Sequence, residues 1–127
     1  ASGWYSTAIG YGADATGSYA IAMGHHADAD GHTSVAMGSF IDAGPADHTI
    51  VLGKGIDDSN HLVNNIENSL MVGFDTTSPT LFVGGASHRV GVGTNSPTRK
   101  FWVNGDAGGR PQRHGGVATT SGSRKMV

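Results

Sequence analysis

A fourteen-residue repeat governs the start of this chain. Gly3, Gly17 and Gly31 are fourteen apart, as are Gly10, Gly24 and Gly38. Ala8, Ala22 and Ala36 keep the same step, and so do Asp14, Asp28 and Asp42. Self-similarity at a fixed short period is the mark of stacked architectures, in which each repeat is one structural rung and contacts only its neighbours. Such a chain reads as building material before it reads as a catalyst.

The residues within a repeat alternate with period two, the signature of a half-buried strand. Four runs show it: Ser6–Gly10, Ala20–Gly24, Ser34–Gly38 and, one residue late after Pro45, Thr49–Gly53. One face carries Ser6, Ala8, Ala20, Ala22, Ser34 and Ala36. The other carries Ile9, Ile21, Met23, Val35, Met37, Ile50 and Leu52. Second strands follow at Ala13–Ala15, Ala27–Ala29 and Ile41–Ala43, separated from the first by glycine-rich turns. The pattern predicts an all-β β-roll: two facing sheets with Ala and Ser between them.

An interior of Ala and Ser buries little apolar area, at roughly 25 cal/mol per Å², while ordering each residue costs roughly 1–2 kcal/mol of backbone entropy. A single roll of this kind is under-stabilised. If Ala and Ser face inward, the bulky stripe is left in water, and such a stripe marks an interaction surface. Self-association through Ile9, Ile21, Met23, Val35, Met37, Ile50 and Leu52 into a rotationally symmetric bundle resolves both problems. The converse arrangement, with the bulky face as the core of a lone solenoid, stays open at this point.

Composition excludes several classes. The 127 residues carry no cysteine, so disulfides and thiol chemistry are absent. A net charge of −2 gives no reason to expect a nucleic-acid partner. No apolar run reaches the roughly 18–20 residues of a membrane-spanning helix, so no direct membrane insertion is expected. Residue 1 already lies inside the repeat, so the chain reads as a piece of something longer.

At these residues the chain resembles the head repeats of YadA-like trimeric autotransporter adhesins. Their Ser-x-Ala-x-Gly run followed by Ala-x-Ala-x-Gly appears as Ser6–Gly10 and Ala13–Gly17. It recurs from Ala20 to Gly31 and, with drift, from Ser34 to Ala43. Ala20 departs from the usual Ser, and Pro45 is expected to end the regular roll. The resemblance implies a left-handed parallel β-roll, three copies of which pack as a homotrimer. It also implies adhesion to a surface ligand, a matrix protein or glycan, at the bacterial cell surface outside the outer membrane.

Residues 55–69 are polar and read as a connector loop. Short β runs follow at Leu70–Gly73, Leu81–Gly84, Val90–Gly93 and Phe101–Val103. The stretch Arg89–Gly105 is similar to a segment of bacterial surface proteins and phage tail fibres that often precedes an endosialidase-type self-cleaving chaperone. This resemblance implies interwoven trimeric β structure and makes a phage or prophage tail fibre, a receptor-binding part of the virion, the alternative origin. The expected division is a head over 1–54, a β-rich connector over 55–105 and a Gly-rich, disordered tail over 106–127. Ser121–Lys125 resembles the cleavage region of that chaperone without assigning a self-cleaving serine.

No constellation points to catalysis, and the chain reads as a non-enzyme without a cofactor. Gly91–Ser96 superficially resembles a dinucleotide loop, but Pro97 and the Phe-Trp-Val run that follows provide no helix to hold phosphate. No Gly-x-Ser-x-Gly elbow is present. His25, Asp28 and Asp30 are metal-capable residue types, although His25 and His26 fall at turn positions and read as surface histidines. Asp14, Asp28 and Asp42 are expected to form a solvated ladder. Tyr11, His25 and Phe40 are candidate contacts for a surface ligand, and Trp4 and Tyr5 are placed to cap the open end of the roll.

Overall fold

The computed structural model describes residues 1–105 and is all-β throughout them. The ten strands are β1 (Thr7–Ile9), β2 (Asp14–Ala15), β3 (Ile21–Ala29), β4 (Val35–Ala43) and β5 (Thr49–Lys54), then β6 (Leu62–Val63), β7 (Ser69–Phe74), β8 (Leu81–Gly84), β9 (Arg89–Val92) and β10 (Phe101–Val103). The tail expected over 106–127, with the stretch Ser121–Lys125, lies outside the described residues.

Strands β1, β3, β4, β5 and β7 pair in parallel and in register, so the chain is a parallel solenoid. Thr7 meets Ile21, which meets Val35, which meets Ile50 and then Leu70. The second arms stack likewise, with β2 on β3, β3 on β4, and β6 on β4. In the second and third rungs the two arms are one nine-residue strand bent at a corner, so the sheet is continuous around the roll instead of being split by a turn.

The inner face is the small-residue face. Ala20, Ala22, Ala27, Ala29, Ala36 and Ala43 are fully buried, as is Ser34. Toward the later rungs the core residues grow larger: Ala22 and Ala36 are followed in register by Val51 and Met71, and Ala27 by Ile41 and Leu62. The bulky stripe therefore lies outside, and the converse arrangement is excluded.

Two corners set the rung spacing. At one, Gly10, Gly24, Gly38 and Gly53 have φ between +125° and +146°. A Cβ on each of the first three would overlap the carbonyl oxygen of the glycine in the next rung, and one on Gly53 would overlap that of Gly73. At the other, a Cβ on Gly3 or Gly17 would overlap the carbonyl of the next glycine in its row. The periodic glycines are thus required by close backbone approach as well as by positive φ.

A hydroxyl residue opens four of the five first arms and closes the second corner. The Ser6 and Ser34 hydroxyls each donate to a glycine carbonyl three residues back at 2.7 Å, Thr49 donates to Ala46, and Ser69 donates to Ile66. Ala20 lacks this bond, while its amide still donates to Gly17.

Pro45 does not end the roll. β5 and β7 follow it in parallel register, with one residue absorbed before Ile50 and six before Leu70. The expected connector at 55–69 contains β6, and the expected boundary at 54 falls between hydrogen-bonded rungs. Leu62 is fully buried and continues the core. Asn64 is fully buried too: its amide donates to Ile50 and Ser69 carbonyls, and its oxygen accepts from the Ile66 amide and the Ser69 hydroxyl. Four satisfied bonds allow an amide to replace the alanine of earlier rungs without an orphaned polar group.

The parallel stack ends where β8 returns antiparallel on β7, and β9 pairs antiparallel with β8. Phe82 lies opposite Met71 and is buried, closing the widened end of the core. β10 then pairs in parallel with β9. At the opposite end the expected cap is not formed: Trp4 and Tyr5 are 77% and 79% exposed.

Two substitutions test this account with opposite signs. Ser34→Ala should lower unfolding free energy by about 1 kcal/mol, and Ala20→Ser should raise it by about 1 kcal/mol, the net value of one such bond. Gly24→Ala, which forces a Cβ into the Gly38 carbonyl at an unfavourable φ, should cost about 3 kcal/mol. Urea titrations of the three variants provide the check.

Candidate functional site

Alternation along the first arms sends Ala and Ser inward and therefore sends their neighbours out. Ile9 is 55% exposed and Met37 43%, and Ile21 and Ile50 are also exposed. Met23, Val35 and Leu52 are half-buried on the same face. All seven candidate interface residues thus form one outer stripe in which Ile21, Val35 and Ile50 are consecutive in register, as are Ile9, Met23, Met37 and Leu52. Leu70 and Val72 extend both rows. Beyond them an open apolar groove runs between His48, Ile50, Leu70 and Val83.

A second surface forms along the corner between the two arms. Tyr11 lies parallel to His25 with ring centres 5.5 Å apart, and His25 meets Phe40 edge-on at 5.0 Å. The three candidate ligand residues are therefore one aromatic row. His26 joins it, 4.6 Å from His25 and parallel to Phe40 at 5.9 Å, and His61 continues it beyond Phe40. His25 and His26 lie not in the expected turn but at the bend of β3.

The backbone of this row is strained. Gly12 occupies the left-handed position of the first rung, with φ +68°. His26 and Phe40 hold the equivalent position in the next two rungs, at +51° and +54°. A side chain there costs about 1–2 kcal/mol, and contact between neighbouring rings returns about 0.5–1.5 kcal/mol. The rings are held outward at little net gain to stability.

Beside the row stands a feature the periodicity did not identify. Ile56–Asn60 forms a tight, wholly exposed hairpin, closed by Ile56 and Asn60 backbone bonds and by Asp57, whose carboxylate accepts from Ser59 and Asn60. The Asn60 and Ser59 hydrogen bonds hold the Asp57 carboxyl below its ordinary range. Asp58 Oδ1 lies 3.2 Å from His26 Nδ1. Lys54 Nζ is held by Asp75 at 2.7 Å and by the Gly55 and Ile56 carbonyls. The signal was available in the lengthening of the step from Ile41 to Leu62, since insertions into repeats gather on one face.

The aspartate ladder forms in register, Asp14 on Asp28 on Asp42. It is not uniformly solvated. Asp14 is exposed, whereas Asp42 Oδ1 is buried without a hydrogen-bond partner, as is His61 Nε2. Burial, then repulsion from Asp30 and Asp28, pushes the Asp42 carboxyl up to about 6, with His61 opposing. Burial also raises Asp28. Asp30 instead accepts a hydrogen bond from Thr16. Among the described residues no three metal-capable side chains converge, so the structure does not bring His25, Asp28 and Asp30 together as a ligand set.

Comparison with known proteins adds one finding. Residues 1–27 and 15–40 match the YadA head domain repeat in two copies. No curated protein and no solved structure matches the chain. The matched residues form the first two rungs and the first arm of the third, with their glycine corners and alanine core.

The raised Asp42 carboxyl gives a pH dependence. An unfolded chain releases this proton near 3.8 and the folded chain near 6. Between those values the folded state binds more protons, so this group's contribution to stability falls as pH rises from about 4 to 6 and is level above. Asp42→Asn should raise the melting temperature at pH 7 and flatten that fall, which thermal melts across pH 4–8 would show.

Proposed function

We propose that this chain is a structural and adhesive segment of a homotrimeric fibre at a bacterial surface, of the trimeric autotransporter adhesin type, and that it catalyses no reaction. The observation that carries the reading is the placement of side chains. The interior of the first rungs is filled with alanine, while Ile9, Ile21, Met37 and Ile50 are exposed on the outer stripe. Three rolls packed about an axis through that stripe would supply the core that one roll lacks. The match of residues 1–40 to the YadA head repeat supports the same reading, and the left-handed sense of the roll belongs to it.

In this reading the stacked rungs, over 1–54 and onward to β7, form the head. The β8–β10 region forms the connector, with Arg89–Gly105 in the role of segments that precede self-cleaving chaperones. Three chains with several rungs each present the same surface many times, so weak contacts to a matrix protein or glycan sum to avidity.

Light scattering at submicromolar concentration tests the assembly. A mass of three chains is expected, and a folded monomer would overturn the proposal. The double variant Ile21→Asp, Met37→Asp should reduce the mass to one chain and lower the melting temperature, because each carboxylate would be desolvated in the interface.

A further inference from the structure

The corner row and the inserted hairpin are two independent departures from the repeat, and they meet on one edge. The repeat itself offers a strain-free solution at this corner, the glycine of the first rung, Gly12. The next two rungs instead place His26 and Phe40 there, with Tyr11 and His25 alongside. The one rung step that lengthens on this edge places Ile56–Asn60 against the row, through the 3.2 Å approach of Asp58 to His26. Left-handed side chains also recur at the other corner, at Tyr5, Tyr19, Thr33 and His48, so it is the meeting of ring row and inserted hairpin, and not strain alone, that singles out this edge.

The chemistry of the edge selects the ligand. Tyr11 is 75% exposed, so a ring is offered to an apolar surface. Asp58 is exposed and offers carboxylate acceptors, and the imidazoles donate or accept. The nearby cation Lys54 is already engaged by Asp75 and two carbonyls, so it is not free for a phosphate or sulfate. Aromatic rings beside hydroxyl-binding carboxylate and imidazole groups, without a free cation, fit a pyranose. Its C–H face packs on a ring and its hydroxyls bond the polar groups. The exposed Asp57 and Asp58 carboxylates would repel an anionic ligand.

We infer that the edge formed by Tyr11, His25, His26, Phe40 and Asp58 is a binding site for an uncharged glycan. This names the surface ligand left open by the proposed adhesive function and rests on that reading.

The test is saturation-transfer NMR on the full chain with three probes: cellohexaose, chitohexaose and a heparin hexasaccharide as the charged comparison. Transfer to at least one neutral probe is expected, with dissociation constants at least tenfold weaker for Tyr11→Ala and for Phe40→Gly. Phe40→Gly separates binding from structure, because glycine relieves the left-handed strain and should leave the melting temperature unreduced. Transfer only to the heparin probe, no transfer to any probe, or full affinity in both variants would overturn the inference. Light scattering on the same sample keeps the two readings apart: a trimer that binds no neutral glycan removes this site alone, whereas a monomer removes the adhesive reading on which it rests.

Discussion

Close contact between the backbones of successive rungs is the constraint on which this structure depends. At each glycine corner the carbonyl of one rung occupies the space that a Cβ of the previous rung would need. That contact fixes the stacking distance and the register together, because a shift of one residue would bring a side chain against a carbonyl. Register in turn decides which residues face inward, since a one-residue slip exchanges the two faces of a strand. The glycines thus place the alanines, and the alanines leave the bulky residues outside.

A core of alanine permits two sheets to approach closely but gives each chain little apolar burial of its own. The later rungs compensate in part. Val51, Met71, Leu62 and Phe82 fill a widening interior, and the return of β8 closes it. The first rungs have no such filling and no cap, with Trp4 and Tyr5 standing in solvent. Stability is therefore uneven along the roll: the N-terminal rungs, where the repeat is most regular, are the ones with most to gain from a partner on the outer stripe.

Much of this was legible in the sequence because the periodicity is enforced by sterics. The alternation of Ala22 with Ile21 and Met23, and the fourteen-residue step of the glycines, sufficed to place the strands and to separate a small-residue face from a bulky one, while burial in the structure decides which of the two lies inside. The extent of the roll was not legible. Pro45 and the polar run after Gly55 resemble the end of a repeat, yet the roll absorbs them as insertions, because register needs only that Ile50, Leu62 and Leu70 arrive at the right rung. Local polarity cannot show that Asn64 fills an alanine position, since its burial depends on four bonds to residues up to fourteen positions away.

The candidate site was legible only in outline. Tyr11, His25 and Phe40 could be picked out as residues at one corner, but their neighbours could not. Asp58 reaches His26 only because the hairpin folds back across the corner, a contact spanning thirty-two positions of sequence. Asp42 and His61 become adjacent only because the inserted rung still pairs Ile41 with Leu62. An insertion that preserves register therefore does two things at once. It leaves the stack intact, and it carries new polar groups to the same edge as the strained rings. A stacked roll gains a distinctive surface in this way without any change in its core.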